Sequence, residues 1–161
     1  MKTLVVYYSR TGITKKIALK LSEIFKSDIE EIIDNKNRNG AIGWLLSGKD
    51  AMNKKTTLIN ILNKDHSKYD LVIIGSPVWA GSLTPAIRTY LINNKNNIKN
   101  SAFFCTMGGE NPSKIFIQME EILEKKPVSI LMLKSKEVMD GNTTKKIDKF
   151  IEEINNNLKK K

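Results

Sequence analysis

The sequence predicts an α/β protein, a three-layer α/β/α sandwich around a five-stranded parallel sheet. Two observations carry this. Short runs of β-branched and aromatic residues alternate five times with stretches whose apolar residues recur every three or four positions. That alternation calls for parallel strands joined by helical crossovers. The middle runs, above all Tyr69–Ser76 (YDLVIIGS), are apolar without alternation, as strands covered on both faces must be. With 161 residues, positions 1–161 are expected to form one domain whose core needs no covalent staple.

Leu4 to Tyr8 reads as the first strand and Ser9-Arg10-Thr11-Gly12 as a tight turn. Ile17, Ala18, Leu21, Ile24 and Phe25 then share one helical face. Asp28–Ile33 is the second strand, its acidic residues suiting a sheet edge. In the polar Asp34–Thr57 stretch, Ala41–Met52 can form a helix with Leu45 and Met52 on one side, although its glycines weaken it. Leu58–Leu62 is expected to add a helical turn, and His66, the only histidine, to lie at the surface among polar neighbours.

Tyr69–Ser76 is the third strand. Thr84-Pro85 opens a helix carrying Ile87, Tyr90 and Leu91, because proline suits the first helical turn. Ser101–Met107 is the fourth strand, closed by Gly108-Gly109. Asn111-Pro112 then caps a helix whose inner face is Ile115, Met119, Ile122 and Leu123. Val128–Leu133 is the fifth strand. Ile147, Ile151, Ile154 and Leu158 mark a last helix that frays into Lys159-Lys160-Lys161.

Chemistry enters at the first turn. A strand that hands over to a helix aims unpaired backbone N–H groups and the positive helix end at one point, where an anion such as phosphate binds. Ser9, Thr11 and Thr14 add hydroxyl donors there; the bland alternative is a simple helix cap. The loop lacks both G-x-x-x-x-G-K-[ST] and G-x-G-x-x-G, the triphosphate and dinucleotide patterns. It also lacks the cysteine of a thiolate phosphatase, and the strand ends lack the carboxylates of a phosphoacceptor.

In parallel sheets ligands bind beyond the carboxyl ends of the strands. Three such ends carry unusual loops, SRTGIT, SPVWAGS and TMGGEN, all on one edge. The second brings Trp79, flanked by Pro77, Val78, Ala80 and Gly81. The third, Thr106, Met107, Gly108 and Gly109, lets backbone approach a ligand closely. A molecule with a phosphate at one end and a flat ring at the other fits this set, and flavin mononucleotide (FMN) is such a molecule. A tryptophan that merely anchors the core is the alternative for Trp79.

The formal net charge is +10, but the lysines are scattered and no nucleic-acid-binding module is present. Nucleic acid is therefore not expected as the primary ligand, and acidic protein partners are. One cysteine, Cys105, excludes an intrachain disulfide and is expected to be a packed thiol. Met1-Lys2 leads straight into the first strand, and no apolar run spans a bilayer, so a cytoplasmic protein without membrane attachment is expected.

Val5 to Ala18 (VVYYSRTGITKKIA) resembles the phosphate-loop signature of the flavodoxin family, and GSPVWAG and TMGG fall where its two ring-binding loops lie. The resemblance, to a short-chain member, implies noncovalent FMN and the strand order 2-1-3-4-5. It places Ser9, Arg10, Thr11, Gly12, Ile13 and Thr14 around the phosphate, Pro77 to Gly81 on one side of the ring, and Thr106 to Gly109 on the other. It also implies electron transfer between redox partners through the flavin semiquinone and hydroquinone, by a monomer or weak dimer with no catalytic acid or base.

An FMN-dependent NAD(P)H:quinone or nitro-compound reductase is the alternative, with the Asn35–Thr57 insertion and its Trp44-Leu45-Leu46 as lid or subunit contact. A flavin-free interaction module is the third reading. The basic charge departs from the acidic flavodoxins and is expected to favour the anionic reduced flavin, giving a less reducing lower couple. The ring loops hold one acid, Glu110. The Ala80–Gly81 peptide is expected to turn its carbonyl toward a protonated flavin N5, glycine making such a flip cheap.

Overall fold

The computed structural model of the chain describes residues 1–109 and 113–160. The cap expected at Asn111-Pro112 and the acid Glu110 lie outside these residues. The chain alternates β1 (Thr3–Tyr8), α1 (Ile13–Phe25), β2 (Asp28–Ile32), α2 (Gly40–Met52), β3 (Leu71–Trp79) and a two-residue β4 (Ser82–Leu83). It continues through α3 (Pro85–Asn94), β5 (Ser101–Met107), α4 (Ser113–Leu123), β6 (Ile130–Lys134), α5 (Ser135–Met139) and α6 (Thr144–Lys159).

Five parallel strands run in the order β2-β1-β3-β5-β6, the order expected, with β4 folded back antiparallel on the end of β3. The register sets Val5 beside Ile73, and Ile73 beside Ala102. Side chains of alternate parity therefore enter two separate cores. Val6, Ile74, Phe103, Tyr90 and Met119 fill the face covered by α3 and α4. Val5, Ile73, Phe104, Leu21 and Phe150 fill the face covered by α1 and α6. Both faces of the central strands are dry, which is why their sequences show no alternation. Edge strand β6 does alternate, with Leu131 and Leu133 buried and Ile130 and Met132 exposed.

Several local expectations change. Ile24 is exposed rather than on the inner face of α1. Leu58–Leu62 forms no helical turn; it runs antiparallel past the end of β2. Asn35 N–H bonds the Leu58 carbonyl and Asn60 N–H the Ile33 carbonyl. Extended pairing satisfies those groups where an isolated helical turn would leave them to water. His66 is buried, at 5% exposure. It opens a short 3₁₀ turn braced by Asp65 and packs 5.4 Å from the Tyr90 ring. Burial holds its imidazole below the ordinary range. Cys105 is a packed thiol pushed up to about 12 by burial. Among the described residues no helix is long and apolar enough to cross a membrane.

Candidate functional site

The loops after β1, β3 and β5 meet at one edge of the sheet, because these three strands are neighbours in it. In the first, Ser9 Oγ accepts a hydrogen bond from Gly12 N–H at 3.1 Å. Gly12 takes φ +83, a left-handed turn that suits glycine and starts α1 directly after it. Thr11 is exposed, while Thr14 is buried. The Thr14 hydroxyl bonds the hydroxyl of Thr106 at 2.8 Å, tying the first loop to the third across the end of β3. It is a structural link between two loops that sequence spacing alone does not reveal. Ile13 is half-buried and packs on the α1 side of the sheet.

The second loop is a hairpin. Val78 pairs with Leu83 and Trp79 with Ser82, leaving Ala80 and Gly81 as its two-residue turn. Both have positive φ, +47 and +70, the signature of a type I′ turn. A flip of the Ala80–Gly81 peptide would give the type II′ turn, which wants glycine at the first position, where Ala80 stands. The order of the two residues therefore opposes the cheap flip expected from sequence. The base of the hairpin is held by Ser76 and Thr84, buried hydroxyls 3.2 Å apart. The Gln118 side-chain oxygen accepts from Leu83 N–H at 3.3 Å and from Arg88 at 2.7 Å.

Trp79 meets Tyr8 edge to face at 5.5 Å. Two guanidinium groups lie over its ring, Arg10 at 5.3 Å and Arg38 at 5.6 Å, each a cation–π distance. Arg38, missed in the sequence, is 5% exposed and donates to Asp34 at 2.7 Å and Asp50 at 2.8 Å. Its only sequence signal is the Asp34–Arg38 spacing of four. Burial pushes Tyr8 up to about 12, so it stays neutral at physiological pH.

α2 lies against the β3–β4 hairpin, and the residues it buries are small or polar, Gly43, Ser47, Asp50 and Ala51. A Cβ on Gly43 would stand 2.5 Å from the Arg38 carbonyl carbon, so glycine lets the two backbones approach. The apolar residues Trp44, Leu45 and Met52 face outward; with Val78, Trp79 and Ala80 they wall a cleft of about 590 Å³. In the third loop Met107 is half-buried and Gly108 and Gly109 are exposed. A Cβ on Gly12, Gly108 or Gly109 would meet no heavy atom within 4 Å, so a ligand can reach these backbones. His66 precedes β3 and lies at the opposite edge of the sheet. Among the described residues no His, Cys, Asp and Glu cluster could hold a metal.

Known proteins share this fold. A Lactobacillus acidophilus flavoprotein, crystallised in complex with FMN, is 30% identical with a TM-score of 0.69; the match covers 86% of this chain and 97% of that one. A Bacteroides eggerthii protein matches at 23% identity and TM-score 0.70, over 86% of this chain and 94% of that one. Two-electron reduced Megasphaera elsdenii flavodoxin, at 14% identity and TM-score 0.53, covers 81% and 85% and shares the fold. A search of curated proteins returned no match. A flavodoxin family model matches residues 2–154, nearly the whole of the sheet, its helices and all three loops, and the chain belongs to the flavodoxin family.

Proposed function

We propose that this protein is an FMN-dependent electron-transfer protein that exchanges electrons with redox partner proteins. One observation carries the reading: three neighbouring strands deliver a helix-start anion cradle, an indole and an open glycine turn to a single edge. The residues fit the cofactor. Ser9 to Thr14, at the N-terminus of the 13-residue α1, would hold the phosphate through backbone N–H groups and hydroxyls. Trp79 would cover one side of the ring, and Met107 to Gly109 would approach the other with bare backbone. Bound FMN supplies one- and two-electron chemistry that no side chain of this chain offers.

The chain's own part is binding and orientation. The Thr14–Thr106 hydroxyl bond fixes the phosphate loop against the ring loop. Arg10 places positive charge beside Trp79, which would favour an anionic ring over a neutral one, whereas the charge of Arg38 is matched by Asp34 and Asp50. The net charge of +10 supports acidic redox proteins as partners. A second reading, an FMN-dependent reductase of small acceptors such as quinones, is favoured by the open cleft beside Trp79.

Purified protein loaded with FMN separates the two. Under the carrier reading NADPH alone leaves the yellow colour unchanged, and a separate reductase bleaches it. Direct bleaching by NADPH, followed by turnover with a quinone, selects the reductase. Failure to retain FMN at all removes both.

A further inference from the structure

Helix α2 turns its apolar side to solvent. The residues it buries are Gly43, Ser47, Asp50 and Ala51, whereas Ile42, Trp44, Leu45, Leu46 and Met52 are 75%, 61%, 64%, 43% and 64% exposed. At the helical period Ile42, Leu45, Lys49 and Met52 form one stripe, with Trp44 on one margin and Leu46 on the other. Large apolar side chains gathered on one face mark a surface that something covers. This face is more than a wall of the cleft beside Trp79, since Ile42 and Leu46 line no part of that cleft. The three loops assigned to the flavin contribute nothing to it.

The charge around the stripe narrows what covers it. Residues 36–57 hold five basic side chains and one acid, Asp50, which is turned inward onto Arg38. Lys49 lies within the stripe and Lys54 just past the end of the helix. Both are exposed, and neither pairs with a carboxylate among the described residues. Aliphatic residues, a marginal tryptophan and unpaired lysines on one helix face make up a surface that lies in the headgroup region of anionic lipid. There the stem of Lys49 covers apolar surface while its ammonium reaches the phosphates. A second copy of the chain fits less well, because a two-fold contact through this stripe sets Lys49 against its own counterpart, between molecules of charge +10. A protein partner fits less well too, because lysine is depleted from the cores of protein interfaces.

We propose that the outward face of α2 is a peripheral membrane-binding surface selective for anionic lipid. The helix lies in the plane of the interface, with Ile42, Leu45 and Met52 below the headgroups and Lys49 and Lys54 among them. The expectation of no membrane attachment rested on the lack of a spanning run, which an interfacial helix does not need. The binding uses no residue of the flavin loops and stands apart from the function proposed above.

The test is flotation of the purified chain with vesicles of phosphatidylcholine alone and of equal parts phosphatidylcholine and phosphatidylglycerol, at low and at physiological salt. Binding to the mixed vesicles is expected to be about tenfold tighter than to the neutral ones, and to weaken with salt. Brominated lipid should quench the tryptophan emission, and Trp44→Phe should remove that quenching. Ile42→Glu with Leu46→Glu alters two exposed positions outside the cleft. This pair should abolish flotation while circular dichroism, melting temperature and retained FMN hold. Lys49→Gln should weaken binding to the mixed vesicles about fivefold and leave the neutral ones unaffected.

Absence of flotation with the mixed vesicles overturns the proposal, as does equal binding to the neutral ones. Unchanged flotation of the double variant overturns it too, because diffuse charge would then suffice without the α2 face. Concentration-dependent dimerisation that the double variant loses, with no flotation, assigns the face to a second copy and overturns it. A shift of Trp44 emission by an acidic ferredoxin but not by vesicles assigns the face to a protein and does the same. A chain that holds no FMN removes the function proposed above, and flotation of the flavin-free protein still decides this inference.

Discussion

Gly75 sits on β3 opposite Phe104 on β5, and the ring lies where a side chain would be. A Cβ at Gly75 would stand 2.0 Å from one ring carbon and 2.4 Å from another, inside the dry core. Gly75→Ala therefore forces Phe104 off its position, and overpacking of this kind costs about 2–3 kcal/mol. Urea unfolding should show the midpoint falling without a change in slope, and Gly75→Ala with Phe104→Leu should recover part of the loss. The glycines at the site behave differently, since Gly108 and Gly109 have open space around them. Sequence could name all of these as turn or close-approach positions. It could not separate the glycine that makes room for a neighbour from those that leave room for a ligand, because that depends on what stands opposite.

At the scale of the element, α2 is secured by charge rather than by apolar burial. The ammonium of Lys36 at 2.7 Å and then the guanidinium of Arg38 at 2.8 Å hold the Asp50 carboxyl down at about 2, against the opposing effect of burial. A carboxyl depressed on folding stabilises the fold fully above its free value of 3.8, and that stabilisation fades as pH falls toward 2. Asp50→Asn should lose about 2 kcal/mol at pH 6 and flatten the pH dependence of the urea midpoint between about pH 4 and pH 2. The same helix shows where sequence reading stops. Periodicity placed Leu45 and Met52 on one side, as they are, but could not say that this side faces out. The inner side is chosen by Gly43, Ser47 and Asp50, which suit a close approach and an ion pair to Arg38, a partner set by tertiary contact. A related reason applies to His66 and Leu58–Leu62: polar neighbours conceal a residue buried against α3, and five residues cannot reveal a long-range backbone partner.

For the whole molecule, the parallel sheet and the meeting of three loops on one edge were legible because dry parallel strands leave unbroken apolar runs, whereas the strand order followed from the resemblance to the flavodoxin family. The fold-back strand β4 was hidden by its two-residue length, and with it the hairpin that presents Trp79. The scattered lysines, which give a net charge of +10, place a diffuse positive field around this edge and the rest of the surface. Docking of an acidic redox protein should therefore weaken steeply as ionic strength rises from about 0.01 to 0.15 M, as the screening length shrinks from about 30 to 8 Å. FMN affinity should change far less where it rests on the backbone contacts proposed above. Binding of the partner that is indifferent to salt would exclude charge as the basis of recognition.

The hydroxyl bond between Thr14 and Thr106 spans the end of β3 from the α1 side, while the β3–β4 hairpin leans the other way, onto α2. One flank of this edge is thus tied by a hydroxyl pair, and on the other the hairpin rests on α2 and, through Gln118, on α4. A substitution that shifts α2 is therefore expected to reach the tryptophan tip before it reaches the hydroxyl pair between the first and third loops.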